Sequence, residues 1–395
     1  MTILSDDTKL RLLLEISQQI RSQVEKALSL DTTLELVLQT VGHLVPYDSA
    51  HIRVTARGHD LSRAVTLAPK QENSPAATSG SDGPQIAGEP GARLASTLEA
   101  PIRYSNHVIG SLIVSSVTPG KYTHTDAEIL NFFAREVSFT IEKALLHEEL
   151  LANKRLDSEL EIARQVQLSL LPTKPPRLEG FDFASFSIPA QRVGGDYFDF
   201  VEFPQDNLGL VIADVVGKGM SAALIMASFR AFLRAQIRND YAIATIFRKI
   251  NNLLKEGLDD NRFVTAVYGV LDAANRVLTY CNAGHNPPLL LHGDGGVDRL
   301  TRGGVVMGVF PGTDYKESRR QLKSGDILVL YTDGLAEASD RNEQEYGTAR
   351  LIETVQRNRQ APAQAICDAI VADLSSHRGD MPLQDDLTLV VVKAL

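Results

Sequence analysis

Cysteine is scarce in this chain. Two are present in 395 residues, Cys281 and Cys367. They lie too far apart to suggest a zinc cluster or a disulfide framework, and such usage fits a reducing compartment. Positive charge is not in surplus either. A formal net charge of −9 argues against a nucleic-acid partner, because backbone binders concentrate Lys and Arg on one face. No uncharged apolar run reaches the ~18 residues of a membrane-spanning helix, so no membrane insertion is expected. Residues 1–9 include the adjacent Asp6 and Asp7 and lack the basic start and apolar stretch of a signal peptide. The expected location is therefore cytoplasmic. What the chain does have is ample apolar content, 44%, and a length that predicts two or three domains.

The spacing divides the chain into three regions. In residues 7–145, Leu10, Leu13, Ile20 and Val24 mark a first amphipathic helix, and Leu34, Val37, Leu38 and Val41 a second. Alternating segments follow at 50–55, 61–67, 94–102 and 108–115. Residues 69–90 are rich in Pro, Gly, Ser and Ala and read as a mobile loop. Residues 125–145 read as a helix burying Ile129, Phe132, Phe133, Val137 and Ile141. A sheet flanked by helices accounts for this pattern. The helix continues through a linker, residues 146–171, where Leu150, Leu156, Leu160, Ala163 and Leu170 form an apolar seam among charges. That seam suits either packing on the chain's own domain or a parallel coiled coil in a homodimer. Pro172, Pro175 and Pro176 stop it.

Residues 172–395 carry many short strand patterns and two helix pairs, at 221–238 with 242–258 and at 345–355 with 363–374. Two packed sheets with outer helices are expected. Aspartates stand at the ends of the apolar strands: Asp196 and Asp199 around Tyr197-Phe198, Asp214 after Leu210-Val211-Ile212-Ala213, Asp333 after Val329-Leu330-Tyr331-Thr332, and the pair Asp385-Asp386 before Leu387. One such aspartate is an ordinary turn or cap. Four sets bordering buried strands are different, because clustered carboxylates are costly to desolvate unless something positive compensates. All-oxygen ligands favour hard divalent ions such as Mg or Mn, and no Cys or His set accompanies them for zinc. The glycines around Asp214–Gly219 do not form a nucleotide-binding loop, which needs a Gly-Lys-Ser/Thr ending.

From about Leu160 onward the chain resembles the bacterial sporulation and stress-response phosphatases of the PPM (PP2C-like) superfamily. The resemblance rests on Glu161-Ile162-Ala163-Arg164-Gln165-Val166-Gln167, Leu171-Pro172, Gly194-Gly195-Asp196-Tyr197-Phe198-Asp199, Asp214 to Gly219 with Met220-Ser221-Ala222-Ala223, Asn282-Ala283-Gly284-His285-Asn286-Pro287-Pro288, Thr332-Asp333-Gly334 and Asp385-Asp386-Leu387-Thr388. It implies an αββα sandwich holding two divalent cations, Mn2+ or Mg2+, at catalytic Asp196, Asp214, Asp333 and Asp385. Asp214 would bridge the ions, Asp333 and Asp385 would complete one site, and Asp196 with the backbone carbonyl of Val215 would serve the other. Asp199, Asp386, Gly195, Lys218, Arg192 and His285 are candidates for supporting or substrate-contacting positions. The ordinary explanations are a solvated rim for Arg192, an exposed loop for Lys218, and a structural turn or a rim position for His285.

The implied reaction is hydrolysis of phosphoserine or phosphothreonine on a regulatory protein, a small anti-sigma-factor antagonist. A small-molecule or nucleotide phosphohydrolase and a non-enzymatic signalling adaptor are the alternatives. The N-terminal region looks like a GAF sensory domain on residues 34–53, 98–115 and 122–144, with an unidentified effector. The helices after Asp214 are candidate regulators, although Leu224, Ile225 and Phe229 equally suit a core.

Overall fold

The computed structural model describes residues 30–56, 59–66, 95–104, 107–240, 242–259 and 261–395. The expected helix through Leu10 and Val24 and the expected loop 69–90 lie outside the described residues. By contacts the chain separates into two units, Met1–Leu156 and Asp157–Leu395.

In the first unit, helix α1 (Leu30–Leu44) lies with four antiparallel strands, β1 (Ser49–Ala56), β2 (His59–Thr66), β3 (Ser96–Tyr104) and β4 (His107–Ser116), in the order β2-β1-β4-β3. Leu34, Val37, Leu38 and Val41 recur at three- and four-residue steps and bury one stripe of α1. The sheet answers with alternate residues Ile52 and Val54, Ala100 and Ile102, and Leu112 and Val114. Helix α2 (His124–Leu170) covers the same core with Leu130, Phe133, Val137 and Ile141. Its start is capped reciprocally: Thr123 Oγ1 accepts from the Asp126 amide at 3.3 Å, and the Asp126 carboxylate accepts from the Thr123 amide at 2.8 Å. Phe132, expected on the buried side, is 42% exposed. Consecutive helical residues point about 100° apart, and the stripe takes Phe133 instead. The linker seam also divides. Leu150 and Leu156 are exposed, while Leu160, Ala163 and Leu170 are half-buried.

In the second unit, one sheet contains β6 (Tyr197–Phe203), β7 (Asn207–Val215), β8 (Val264–Asp272), β9 (Val277–Ala283) and the short β12 (Gly303–Gly304), with β13 (Ser318–Gln321) also paired to β9. The other contains β5 (Phe181–Ile188), β10 (Leu289–Leu291), β11 (Val297–Arg299), β14 (Ile327–Tyr331) and β15 (Leu387–Ala394), in the order β11-β10-β14-β15-β5. Strand alternation builds three apolar layers. Leu208, Leu210 and Ile212 of β7 meet Leu328 and Leu330 of β14 and Val390 and Val392 of β15 between the sheets. The intervening Val211, Ala213 and Val215 face helices α3 (Met220–Ile237) and α4 (Ile243–Gly257). Val329, Tyr331, Leu389 and Val391 face α6 (Gly347–Arg357) and α7 (Ala363–Arg378), which follow the four-residue α5 (Asp333–Ala336). The result is an αββα sandwich. Each large side chain buried here contributes about 1.5–3 kcal/mol.

Ile225 and Phe229 pack this core, but Leu224 does not and is 63% exposed. Strands β11, β12 and β13 and helix α5 are too short to carry a periodic signal.

Candidate functional site

The alternation that sorts the apolar residues also sorts the aspartates. Asp214 continues the series Leu208, Leu210, Ile212, so it emerges on the inter-sheet side at the end of β7. Asp196, just before β6, has the parity of Phe198, which packs between the sheets. Asp199 has the parity of Tyr197 and Val201, which face the outer helices. The facing sheet supplies Thr332, continuing Leu328 and Leu330, and Thr388, preceding Val390 and Val392.

These residues meet. Thr332 Oγ1 donates to Asp196 Oδ2 at 2.8 Å and accepts the Thr388 amide at 3.0 Å. The Thr388 hydroxyl is within 3.0 Å of Ser187 Oγ and also favours ionised Asp196. Among the described residues, the buried Asp196 Oδ1 has no hydrogen-bond partner. Burial first, and then the charges of Asp214 and Asp386, hold the Asp196 carboxyl well above the usual carboxylate range. Burial, followed by Asp333, Asp385 and Asp386, pushes Asp214 up to about 7. Burial and then Asp385 raise Asp333. Asp196, Asp214, Asp333 and Asp385 therefore share one acidic neighbourhood at one end of the sandwich.

Asp386 has a different task. Its Oδ1 accepts the Ala190 amide at 2.8 Å and its Oδ2 the Gly195 amide at 2.6 Å. The approach is so close that a Cβ on Gly194 would lie 2.3 Å from Asp386 Oδ2, and one on Gly195 would lie 2.8 Å from the Val215 carbonyl oxygen. Glycine is required there by space rather than by backbone angle. Asp386 thus holds the turn that delivers Asp196, and the Val215 carbonyl faces that turn.

The remaining expected residues are placed in different ways. The buried Asp199 carboxylate is gripped by Arg234 of α3, at 2.8 Å from Nε and 2.7 Å from Nη2, and it accepts the Tyr197 hydroxyl. It does not join the acidic neighbourhood. Arg192 is exposed and lies 3.7 Å from Asp157 and 3.8 Å from Glu161, on α2. Lys218 Nζ lies 2.9 Å from Asp385 and donates to the Gln384 carbonyl. His285 is buried rather than on a rim. Its Nδ1 is 2.8 Å from Thr265 Oγ1, its amide donates to Asn282 Oδ1 at 2.8 Å, and burial pushes its pKa down to about 4. A buried imidazole that is neutral at pH 7 serves the turn and lacks the imidazolium form that an ordinary histidine general acid uses.

Among the described residues, no three acidic, histidine or cysteine side chains are drawn together as a formed metal cage. Even so, the residues fit hard divalent ions. The donors are all oxygens, Asp196 Oδ1 is buried and unpaired, and the mutual elevation of the carboxyls is what a cation would relieve. Thr332, Thr388 and Arg234 carry roles that motif reading missed. Strand parity could have found the two threonines. Nothing local marks Arg234 as the partner of Asp199.

The family model for stage II sporulation protein E (SpoIIE) matches residues 204–395. That span begins downstream of Asp196 and includes Asp214, Asp333 and Asp385. The chain is 31% identical over 243 residues to the phosphoserine phosphatase RsbU of Bacillus subtilis, covering 61% of this chain and 71% of the relative. It is 30% identical to protein IcfG of Synechocystis sp. over 59% of this chain and only 41% of that longer protein. The SiaA PP2C domain of Pseudomonas aeruginosa superposes with a TM-score of 0.54 at 22% identity, covering 61% of this chain and 98% of that domain. At that identity the likeness concerns the fold.

Proposed function

The chain belongs to the bacterial PPM/PP2C-like phosphatase family associated with stress responses and sporulation, and on that premise we propose that it hydrolyses phosphoserine or phosphothreonine on a regulatory protein. The observation that carries this reading is the set of four strand-end carboxyls, Asp196, Asp214, Asp333 and Asp385, three of them held above the ordinary range by burial and by one another. Such a set is costly without a cation and favourable with one.

Asp214 would bridge two ions, Asp333 and Asp385 would complete one site, and Asp196 with the Val215 carbonyl would complete the other. When bound, Mn2+ or Mg2+ supplies an activated water at neutral pH and positive charge against the transferring phosphoryl group. The chain's own residues do the positioning. Thr332 and Thr388 orient Asp196, Asp386 anchors its turn, and the Lys218 ammonium lies at the rim, 2.9 Å from Asp385. No side chain is required as a nucleophile.

The substrate we propose is a small phosphorylated anti-sigma-factor antagonist, in keeping with the phosphoserine phosphatase RsbU among the relatives. The first unit would act as a GAF-like sensory domain with an effector still to be identified. The exposed Leu150 and Leu156 of α2 support self-association into a homodimer.

The test is phosphate release with Mn2+ from phosphoserine proteins of that class, compared with nucleotides and p-nitrophenyl phosphate. Selective turnover of the phosphoprotein is expected, together with a loss of about a thousandfold or more in Asp214→Asn, where a neutral amide replaces the bridging anion. Preference for nucleotides would replace the protein-phosphatase reading. Folded protein without turnover on any substrate would favour an adaptor.

A further inference from the structure

Gln167 stands near the C-terminal end of α2, in the part of that helix belonging to the second unit. Its side-chain amide meets both backbone polar groups of Gly194: Nε2 donates to the Gly194 carbonyl at 2.6 Å, and Oε1 accepts the Gly194 amide at 3.1 Å. The next amide, that of Gly195, donates to Asp386 Oδ2 at 2.6 Å. The peptide that joins Gly194 to Gly195 is therefore held on both edges, its carbonyl by the helix and its amide by Asp386 at the start of β15, and the helix also holds the amide of the peptide before it. Gln167 and Asp386 line the same crevice of about 20 Å³, whose wall includes Asp196 and Gly194.

We infer that Gln167 is a positioning residue for the divalent-cation site, acting through the Gly194-Gly195 turn on the aim of Asp196. The physical reason lies in the glycines. Both are required because Asp386 and the Val215 carbonyl approach too closely for any Cβ, and glycine leaves the turn with the widest conformational freedom. That freedom has to be removed by something outside the turn. Thr332 and Thr388 fix the far end of the Asp196 carboxylate but not the backbone that carries it. A primary amide suits the task because it offers a donor and an acceptor side by side, matching the carbonyl and amide of one residue. Gln165 makes a different connection: among the described residues its amide bonds to Glu161 on the same helix, at 2.9 Å.

This inference rests on the metal-site reading proposed above, and the experiment separates the two. Mn2+ alone is titrated into the full chain and into Gln167→Met, Gln167→Glu and Gln165→Met, with affinity read by electron paramagnetic resonance of free Mn2+. Melting of the metal-free proteins is followed in parallel. Gln167→Met should weaken Mn2+ binding by about tenfold or more, the range lost when outer-shell partners of metal ligands are removed. Gln167→Glu keeps the acceptor for the Gly194 amide and should fall between the parent and the Met variant. Gln165→Met should bind as the parent does. Unchanged Mn2+ affinity in both Gln167 variants, beside a parent that binds Mn2+, overturns the positioning role alone. A parent without measurable Mn2+ affinity overturns the metal-site reading and this inference with it. Should Gln167→Met fail to fold, the Glu variant decides between the same outcomes.

Discussion

At the scale of single residues, His285 shows how burial changes the meaning of a side chain. In the sequence it sits among glycine, asparagine and prolines beside a candidate active site, where a general acid would be attractive. In the fold it is enclosed, with Nδ1 on Thr265 Oγ1, whose hydroxyl also reaches the Asp214 carbonyl at 3.4 Å. Its folded-state pKa lies near 4, below the ordinary 6.5. The unfolded chain therefore takes up a proton first as pH falls, and stability is lost between about 6.5 and about 4. His285→Gln should narrow the difference in melting temperature between pH 7 and pH 4.5, because this group contributes on the order of 1–3 kcal/mol to that difference. Turnover at pH 7 should fall less than about tenfold, the minimum for removing a general acid being nearer a hundredfold. A loss of a hundredfold, with a shifted pH profile, would return His285 to the chemistry.

At the scale of elements, the contact between β6 and α3 depends on a bidentate ion pair. Asp199 is 3% exposed, and Arg234 is its cationic partner. Removing the arginine leaves a carboxylate in the helix-facing layer with, among the described residues, the Tyr197 hydroxyl and the Phe200 amide as donors. Arg234→Met should lower stability by about 2–3 kcal/mol, less than a fully enclosed pair would lose because the guanidinium is partly solvated. Adding Asp199→Leu to that variant should recover most of the loss, as judged by urea midpoints. If the double variant is no more stable than Arg234→Met, the pair is not what sets the contact. The tie also explains why Asp199 stays apart from Asp196 three residues earlier: odd and even positions of one strand face opposite layers.

At the scale of the whole molecule, helix α2 does not end where the second unit begins. Residues from Asp157 onward belong to that unit, the Leu170 carbonyl accepts Arg230 Nε at 2.9 Å, and Leu171 packs against the sandwich. A fragment starting at residue 172 loses these contacts along with Gln167. A fragment of residues 157–395 should fold and retain Mn2+-dependent turnover. Residues 172–395 should melt lower by several degrees, about 2–4 °C for each kcal/mol removed from a unit of this size, and should bind Mn2+ more weakly. Equal melting and equal affinity in the two fragments would mean that the end of α2 is dispensable.

The local sequence was enough to indicate the sandwich and its acidic end. Unbroken apolar runs such as Leu208 to Ala213, the three- and four-residue steps of α3 and α4, and glycines beside strand-end aspartates are all short-range signals of what the fold buries. Strand β14 is another such run, five apolar residues that are all buried. Partnerships were a different matter. Thr332 meets Asp196 across 136 positions of chain, Arg234 meets Asp199 across 35, and Gln167 meets Gly194 across 27. Hydrogen-bond partners of that kind are selected by which strand ends and helix ends the packed layers bring within about 3 Å of one another. Sequence spacing carries no term for that distance. The chain by itself determined the layers and the acidic residues at their edge, and the tertiary structure decided which of those residues face one another and which are tied elsewhere.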